Sequence, residues 1–189
     1  MKFYSETGRL ILRGFEDRDI EPFSEYRSDP EVARCQGWDT PFDRERAAEF
    51  VAAMRGRTPG VAGVWYQVAL ELKETHRLIG DVAFETFQDY GSPLQAEIAF
   101  TLAREYQGQG YAFEAVSCLL EYLFEGLKVH RVRANIDPSN RTSARLLERL
   151  GLRLEGHFIK SLWYKGRWAD EDWFAILDLE WEARKKRQG

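Results

Sequence analysis

The chain has 189 residues, enough for one well-filled hydrophobic core and too few for two ordinary domains, so we expect a single domain over residues 1–189. Its formal net charge of -4 disfavours a nucleic-acid partner, because neutralising phosphates requires a surplus of lysine and arginine. The two cysteines form no C-x-x-C pair and have no histidine pair nearby, which disfavours a disulfide framework, a zinc site and a redox motif.

The N-terminal segment carries charge almost at once and never builds the apolar run of a signal peptide. No later segment approaches the ~18 uninterrupted apolar residues of a membrane-spanning helix. We therefore expect a cytoplasmic protein with no membrane partner.

The first third of the chain predicts one strand followed by two helices. Residues 9–15, RLILRGF, alternate as a strand does. A helical pattern begins near Asp17 and breaks at Asp29-Pro30. After a segment rich in turn formers, apolar residues recur at helical spacing between Asp43, the expected cap, and Gly56.

The middle of the chain predicts three successive strands and then the clearest helix. Residues 65–72, 77–85 and 96–102 have apolar residues on one face and are typical of an antiparallel meander. Between residues 110 and 127 the apolar positions repeat at three and four, as in a long amphipathic helix. Residues 131–136, RVRANI, alternate again and predict a further strand.

The last third predicts a helix and two final strands. Asn140 is positioned to cap the helix, and Gly151 to relieve its left-handed end. Strands at 152–159 and 173–181 follow, joined by the aromatic hairpin 163–168. The order β-αα-βββ-α-β-α-ββ predicts an α+β fold: a mostly antiparallel mixed sheet of about seven strands with helices on both faces.

Two glycines, Gly108 and Gly110, directly precede the central helix. A dinucleotide fingerprint would require a third glycine at Phe113, and a P-loop would require Gly-Lys followed by Ser or Thr, so neither motif is present. Glycines let the backbone pass close to a ligand, and free N–H groups at a helix N-terminus form an anion site that suits a diphosphate. Read alone, the motif is equally compatible with a plain turn.

The stretch from Ala96 to Phe158 resembles the acetyl-CoA-binding core of the GNAT superfamily of N-acetyltransferases. The resemblance is carried by the EIAF strand, by the Q/R-x-x-G-x-G/A loop that Gln107, Gly110 and Ala112 match, and by the N-x-x-S and LERLG motifs. Within the superfamily the chain is similar to the RimJ/RimL branch, named for acetylating ribosomal-protein N-termini, which also accounts for RLILRGF, YRSDPEVARCQGW and YKGRWADE. The resemblance implies acetyl-CoA as cofactor.

The resemblance also implies where acetyl-CoA lies. The diphosphate would meet the loop N–H groups, and the pantetheine arm would pair with the preceding strand through a splayed gap beside RVRANI. Asn140 would bond the pantetheine amide or only cap its helix; Ser143 would lie near the thioester sulfur or only bond its own helix. The expected cofactor-binding residues are Phe100, Thr101, Leu102, Gln107, Gly108, Gln109, Gly110, Tyr111, Ala112, Asn140 and Ser143.

The implied reaction requires a base, a proton donor and donors for a carbonyl oxygen, because a protonated amine cannot attack. Holding the two reactants together can supply on the order of 7 kcal/mol of the barrier, so few further groups are needed. Glu97 is the first candidate for the base, since the period of two places it opposite Ile98. Its alternative role is an ion pair with Arg131 or Arg133. Ser143 is the proposed proton donor.

The acceptor side is expected to combine aromatic and acidic groups, which suit a cationic amine. Asp170 and Glu171 are second candidates for the base, or bind the ammonium group. The expected acceptor-binding residues are Tyr26, Trp38, Tyr164, Trp168, Asp170 and Glu171, although each aromatic also suits core or hairpin packing. His76, His130 and His157 show no triad or metal spacing, so we expect them to be structural and expect no metal.

The leading hypothesis is an acetyl-CoA-dependent N-acetyltransferase that acts by direct attack in a ternary complex on a primary amine of a protein N-terminus or a small molecule. The alternative is a non-catalytic acyl-CoA binding or sensing module of the same fold. A third reading, nucleic-acid interaction through the stripe Arg141, Arg145, Arg149 and Arg153, is disfavoured by the acidic charge; the stripe is solvated surface or meets a ligand phosphate. The aromatic hairpin offers a surface for a homodimer.

Overall fold

Eight strands form one open sheet in the computed structural model, which describes residues 3–188. The strands are Tyr4–Glu6 (β1), Leu10–Arg13 (β2), Tyr66–Leu72 (β3), Arg77–Phe87 (β4), Gln95–Leu102 (β5), Arg131–Ile136 (β6), Arg153–Tyr164 (β7) and Arg167–Leu177 (β8). Their order is β1-β2-β3-β4-β5-β6-β8-β7, and only β5 and β6 pair in parallel. The predicted mostly antiparallel mixed sheet is confirmed.

Six α-helices connect and flank the strands within residues 3–188. They are Ile20–Ser28 (α1), Pro30–Ala33 (α2), Arg44–Arg55 (α3), Tyr111–Glu121 (α4), Arg141–Leu150 (α5) and Asp178–Gln188 (α6), and α4 continues through one π-helical turn, Tyr122–Gly126. The side chain of Asp43 accepts from Arg46 N, and that of Asn140 from Ser143 N, as N-caps do. Within residues 3–188 no helix is long and apolar enough to cross a membrane.

Helices cover both faces of the sheet, because successive strand residues point to opposite sides. Val68 in β3 packs in a core with the apolar residues of α4 and α5. Ala69, the next residue, belongs to a second core with α1 and α3, centred on Phe23 and Val51. The predicted arrangement of helices on both faces is confirmed.

Besides the short helix α2, which lies beyond the predicted helix break at Asp29-Pro30, two differences from the prediction concern the strands. β1 is a three-residue strand that pairs with β2, and it raises the number of strands from the predicted seven to eight. The final strand was expected to run to residue 181, but β8 ends at Leu177 and α6 follows. Glu180 turns back to accept a hydrogen bond from Leu177 N, and Trp181 stacks on Phe124 with 5.7 Å between ring centres. Burial of this tryptophan favours the helix over a longer strand.

The sheet opens between β5 and β6, as the resemblance implied. Only residues 95–97 pair with residues 131–133, whereas β5 stays paired with β4 as far as Leu102. The β6-facing edge of residues 98–102 therefore has no strand partner. Gly80 permits the close approach of β4 to this end of β5, since a Cβ there would lie 2.3 Å from the Thr101 carbonyl oxygen.

Candidate active site

Two cavities meet beside the free edge of β5. The larger, about 510 Å³, lies between the end of β5, the glycine loop and α5. The smaller, about 400 Å³, lies between β5, β6 and the β7–β8 hairpin. The two share five lining residues, Cys35, Gln36, Phe100, Asn140 and Ser143, which we call the neck.

The glycine loop leaves the first N–H groups of α4 open. Gly110 is the N-cap residue with a φ of 86°, and no side chain caps the helix. Within residues 3–188 the first main-chain hydrogen bond of α4 runs from Glu114 N to Gly110 O, so the N–H groups of Tyr111, Ala112 and Phe113 have no acceptor there. Partial positive charge at a helix N-terminus makes such groups suited to an anion.

A clamp from the β1–β2 connection fixes this loop, and it was not anticipated. Arg9 donates to Gln109 O at 3.0 Å and to Glu114 at 2.8 Å, and its guanidinium lies 4.1 Å from the Tyr111 ring centre. Thr7 also donates to Glu114, at 2.5 Å. Burial opposes ionisation of Glu114, but the hydrogen bonds from Thr7 and Arg9 outweigh it and hold the pKa below its ordinary value. Glu114 is therefore an ionised anchor for the loop.

The two cavities differ sharply in charge. Four arginines and one carboxylate, Glu31, line the larger one, whereas four carboxylates and neither lysine nor arginine line the smaller one among the described residues. We call them the basic cavity and the acidic cavity. Such fields favour an anionic ligand in the first and a cationic ligand in the second. The charged groups are Arg34, Arg104, Arg145 and Arg149 in the basic cavity, and Glu97, Asp137, Asp170 and Glu171 in the acidic cavity.

The structure brings the expected cofactor-binding residues together, with one exception. Gln109 does not line the basic cavity; its carbonyl is engaged by Arg9 instead. Asn140 caps α5 through Oδ1, which accepts from Ser143 N at 3.1 Å, and it lies at the neck as well. The lining residues are Phe100, Thr101, Leu102, Gln107, Gly108, Gly110, Tyr111, Ala112, Asn140 and Ser143.

Glu97 lies where β5 and β6 part. Its carboxylate receives Arg133, its register partner on β6, at 2.9 Å, so the expected ion pair is present. The side chain is only 15% exposed. Burial raises the pKa of Glu97 above its ordinary value; Arg133 opposes this shift, and the charges of Glu85 and Glu171 add to it. Glu97 is thus a carboxylate with increased proton affinity in the wall of the acidic cavity.

Two carboxylates of β8 are held by hydrogen bonds from neutral groups. Asp170 accepts from Lys160 N at 2.8 Å. Glu171 accepts from Asn135 Nδ2 and from Ser161 Oγ, each at 2.8 Å. Both side chains line the acidic cavity, where such fixed negative charge suits a cationic ligand.

The tip of the β7–β8 hairpin is latched to the end of α2. The Tyr164 hydroxyl donates to Gln36 O at 2.5 Å, and Lys165 Nζ donates to Ala33 O at 2.7 Å. Burial, reinforced by the nearby Cys35, raises the pKa of Tyr164 to about 12, so the phenol remains a donor at neutral pH. The latch holds one wall of the neck in place.

Three aromatic residues expected at the acceptor lie elsewhere, which corrects their predicted placement. Tyr26 is buried in the core, where its hydroxyl donates to Asp81 at 2.5 Å. Trp38 donates from Nε1 to Arg27 O, and its ring covers the Arg27 guanidinium at 3.9 Å. Trp168 packs edge to face against Trp163, the other tryptophan of the hairpin. Neither cavity is lined by any of the three, whereas Tyr164 lines the acidic cavity.

Comparison with known proteins agrees with this geometry. Residues 9–153 match the family model described as the Acetyltransferase (GNAT) domain. The chain is 33% identical over 175 residues to the "Uncharacterized N-acetyltransferase YnaD" of Bacillus subtilis (strain 168), covering 93% of this chain and 97% of that one. It is 32% identical over 180 residues to the [Ribosomal protein uS5]-alanine N-acetyltransferase of Escherichia coli (strain K12), covering 93% and 91%.

A solved structure supports the same relationship. The crystal structure of an acetyltransferase of the GNAT family from Bacillus anthracis superimposes with a TM-score of 0.82 at 30% identity, covering 94% of this chain and 99% of that one. The match of the family model spans the glycine loop and the N-x-x-S motif, both of which lie within residues 9–153. The chain therefore belongs to the GNAT family of acetyl-CoA-dependent N-acetyltransferases.

Proposed function

We propose that this chain transfers the acetyl group of acetyl-CoA to a primary amine of a protein N-terminus or a small molecule, by direct attack within a ternary complex. The observation that carries the proposal is the opposite charge of two cavities that join at the neck. A nucleotide-bearing thioester is polyanionic, whereas an amine is mostly cationic at neutral pH. Each therefore prefers a different cavity, and the two meet where the cavities join.

The residues of the basic cavity fit acetyl-CoA. The open N–H groups at the start of α4 receive the diphosphate. Residues 98–102 have no partner strand on the β6 side, so the pantetheine amides can bind main-chain groups there in place of the Gln36 and Gln107 side-chain amides, which donate to Phe100 O and Leu102 O. When bound, the cofactor supplies an activated acyl group as a thioester. Arg9 and Glu114 hold the loop in the conformation that presents its N–H groups.

Glu97 removes the proton from the acceptor amine. It lines the acidic cavity, and its raised pKa brings its proton affinity closer to neutral pH, where a general base is most effective. Arg133 fixes the orientation of the carboxylate through the contact at 2.9 Å. Asp170 and Glu171 attract the ammonium form of the acceptor before this proton is lost.

Ser143 holds a proton at the neck. Its main-chain N–H is fixed by Asn140, so its position at the start of α5 is well defined. The Oγ proton is available there to a leaving thiolate, which is the role of the general acid. The arrangement needs no covalent link between acyl group and protein.

A thiol-release assay with a panel of amines tests the proposal. The panel includes an alanine-initiated peptide, a polyamine and an aminoglycoside. Glu97→Gln should lower kcat/KM by about 10²- to 10⁴-fold, the range for loss of a general base, while the calorimetric Kd for CoA stays unchanged. Glu85→Gln is the matched control: this residue pairs with Glu97 across β4 and β5 but does not line either cavity. Its charge adds less than burial does to the raised pKa of Glu97, so the variant should lose far less activity than Glu97→Gln.

Two results would contradict the proposal. If CoA binds but no amine releases thiol above background, the non-catalytic acyl-CoA binding module replaces it. If Glu85→Gln loses as much activity as Glu97→Gln, the assignment of the base is wrong.

A further inference from the structure

Three arginines in the wall of the basic cavity have no carboxylate partner among residues 3–188. They are Arg104, Arg145 and Arg149, and no acidic group of the described chain lies within salt-bridge distance of them. By contrast Arg153, the fourth arginine of the sequence stripe, lies in β7 rather than on α5 and is paired with Glu155 and Glu180. In a chain with a net charge of -4, guanidinium groups left unpaired around one cavity indicate an anionic ligand.

Two of these arginines lie on α5, and Arg149 is the farther of the two from Ser143 at the neck. Arg145 and Arg149 are four residues apart and therefore share one face of α5. Arg149 lies beyond Ser143 by about 9 Å along the helix axis, at 1.5 Å per residue. Its guanidinium sits 4.7 Å from the ring centre of Phe113, in the first turn of α4. Arg149 thus lies beside the first turn of α4, whose N–H groups are assigned to the diphosphate, and Arg145 lines the same cavity one helical turn closer to the neck.

The diphosphate is assigned to the N–H groups at the start of α4, so it does not account for the positive charge of Arg145 and Arg149. Coenzyme A carries one further anionic group, the phosphomonoester at the 3′ position of its ribose, which has a charge of about -1.5 to -2 at pH 7, as phosphomonoesters do. Guanidinium groups bind such phosphates with two parallel hydrogen bonds. We propose that Arg145 and Arg149 form a phosphomonoester site that makes the protein select 3′-phosphorylated coenzyme A over 3′-dephospho-coenzyme A. This inference rests on the placement of the cofactor in the basic cavity under the proposed function.

The helical stripe supplies its own control. Arg141 belongs to the same stripe and has no carboxylate partner among the described residues, but it does not line the basic cavity. A general effect of positive charge on polyanion binding would involve Arg141 as much as the other two. A specific phosphate site would involve only Arg145 and Arg149.

Calorimetric titration with CoA and with 3′-dephospho-CoA tests the inference. The wild-type protein should bind CoA roughly tenfold more tightly or better, equivalent to about 1.4 kcal/mol. In Arg145→Met, Arg149→Met and the double variant, the ratio of the two Kd values should fall stepwise towards one. Methionine keeps the apolar stem, and both side chains are exposed, so the variants should fold; equal melting temperatures check this. Arg141→Met should retain the wild-type ratio.

The outcomes separate this inference from the proposed function. If the wild type binds both thiols equally, or if the double variant keeps the wild-type ratio, the phosphomonoester site is overturned while cofactor binding stands. A ratio reduced as much by Arg141→Met as by the pair also overturns it. If the wild type binds neither thiol, the placement of the cofactor itself fails.

Discussion

Replacing Gly110 by alanine tests whether the backbone of the glycine loop creates the cofactor site. Gly110 has a φ of 86°, and holding an L-residue in this left-handed region costs roughly 1–2 kcal/mol. The added Cβ would also lie 3.4 Å from Arg9 Nη2, on the side chain that holds the Gln109 carbonyl. We expect the exposed loop to relieve this strain by rotating its peptide groups, which would turn its N–H groups away from the cavity.

The strain lowers either the stability of the free protein or its affinity for the cofactor. If the loop of the free variant relaxes, cofactor binding must return it to the strained conformation. A relaxed loop should therefore lose CoA affinity by up to the same 1–2 kcal/mol, about 5- to 30-fold. Gly151→Ala is the matched control. Gly151 has a φ of 96° at the end of α5 but does not line the basic cavity, so its strain should appear only as a melting temperature lowered by about 2–8 °C.

Calorimetry with CoA and thermal melting of both variants give the two quantities. We expect Gly110→Ala to lose affinity and Gly151→Ala to keep it. A wild-type Kd for CoA in Gly110→Ala, or an equal loss of affinity in Gly151→Ala, would show that the backbone of the glycine loop does not create the cofactor site.

Three further predictions concern other parts of the molecule. Arg13→Met leaves Asp19 and Glu71 buried without their shared cation, so the free energy of unfolding in urea should fall by about 3–5 kcal/mol. A decrease below about 1 kcal/mol, roughly the value of an exposed ion pair, would contradict this prediction. Because the pKa of Glu97 is raised in the folded state, ionisation of this residue destabilises the folded protein as the pH rises through that pKa. Glu97→Gln should therefore melt at a higher temperature than the wild type at about pH 8, and the difference in melting temperature should vanish near pH 4. A lower melting temperature of the variant at about pH 8 would contradict the raised pKa. Tyr164→Phe removes the hydrogen bond to the neck, so KM for the amine should rise while the Kd for CoA is unchanged, and equal KM values would show that the latch does not position the acceptor wall.

Much of the fold could be predicted because its signals are local. The repeat of apolar residues identified the central helix, and the Asn140 and Gly151 ends of α5 are set by side-chain and backbone chemistry within a few residues. The glycine loop was recognised for the same reason: its function depends on consecutive residues. These features require no knowledge of what packs against them.

The features that were missed depend on distant contacts. Arg9 and Glu114 hold the loop across 105 positions of sequence, and neither residue belongs to a local motif. Trp181 was predicted in a strand because only its stacking on Phe124 favours the helix. The charge division between the cavities is likewise visible only once α2, β5, α5 and β8 are brought together. The prediction of Tyr26 at the acceptor is wrong for the same reason: its hydrogen bond to Asp81 in the core joins residues 55 positions apart and leaves no local signal in the sequence.

A crystal structure of the chain with bound acetyl-CoA tests the central claim most directly. We expect diphosphate density within hydrogen-bonding distance of the N–H groups of residues 111–113, and the thioester at the neck beside Ser143. Density for the nucleotide in the acidic cavity, or a first turn of α4 whose N–H groups bind other parts of the protein instead, would contradict it.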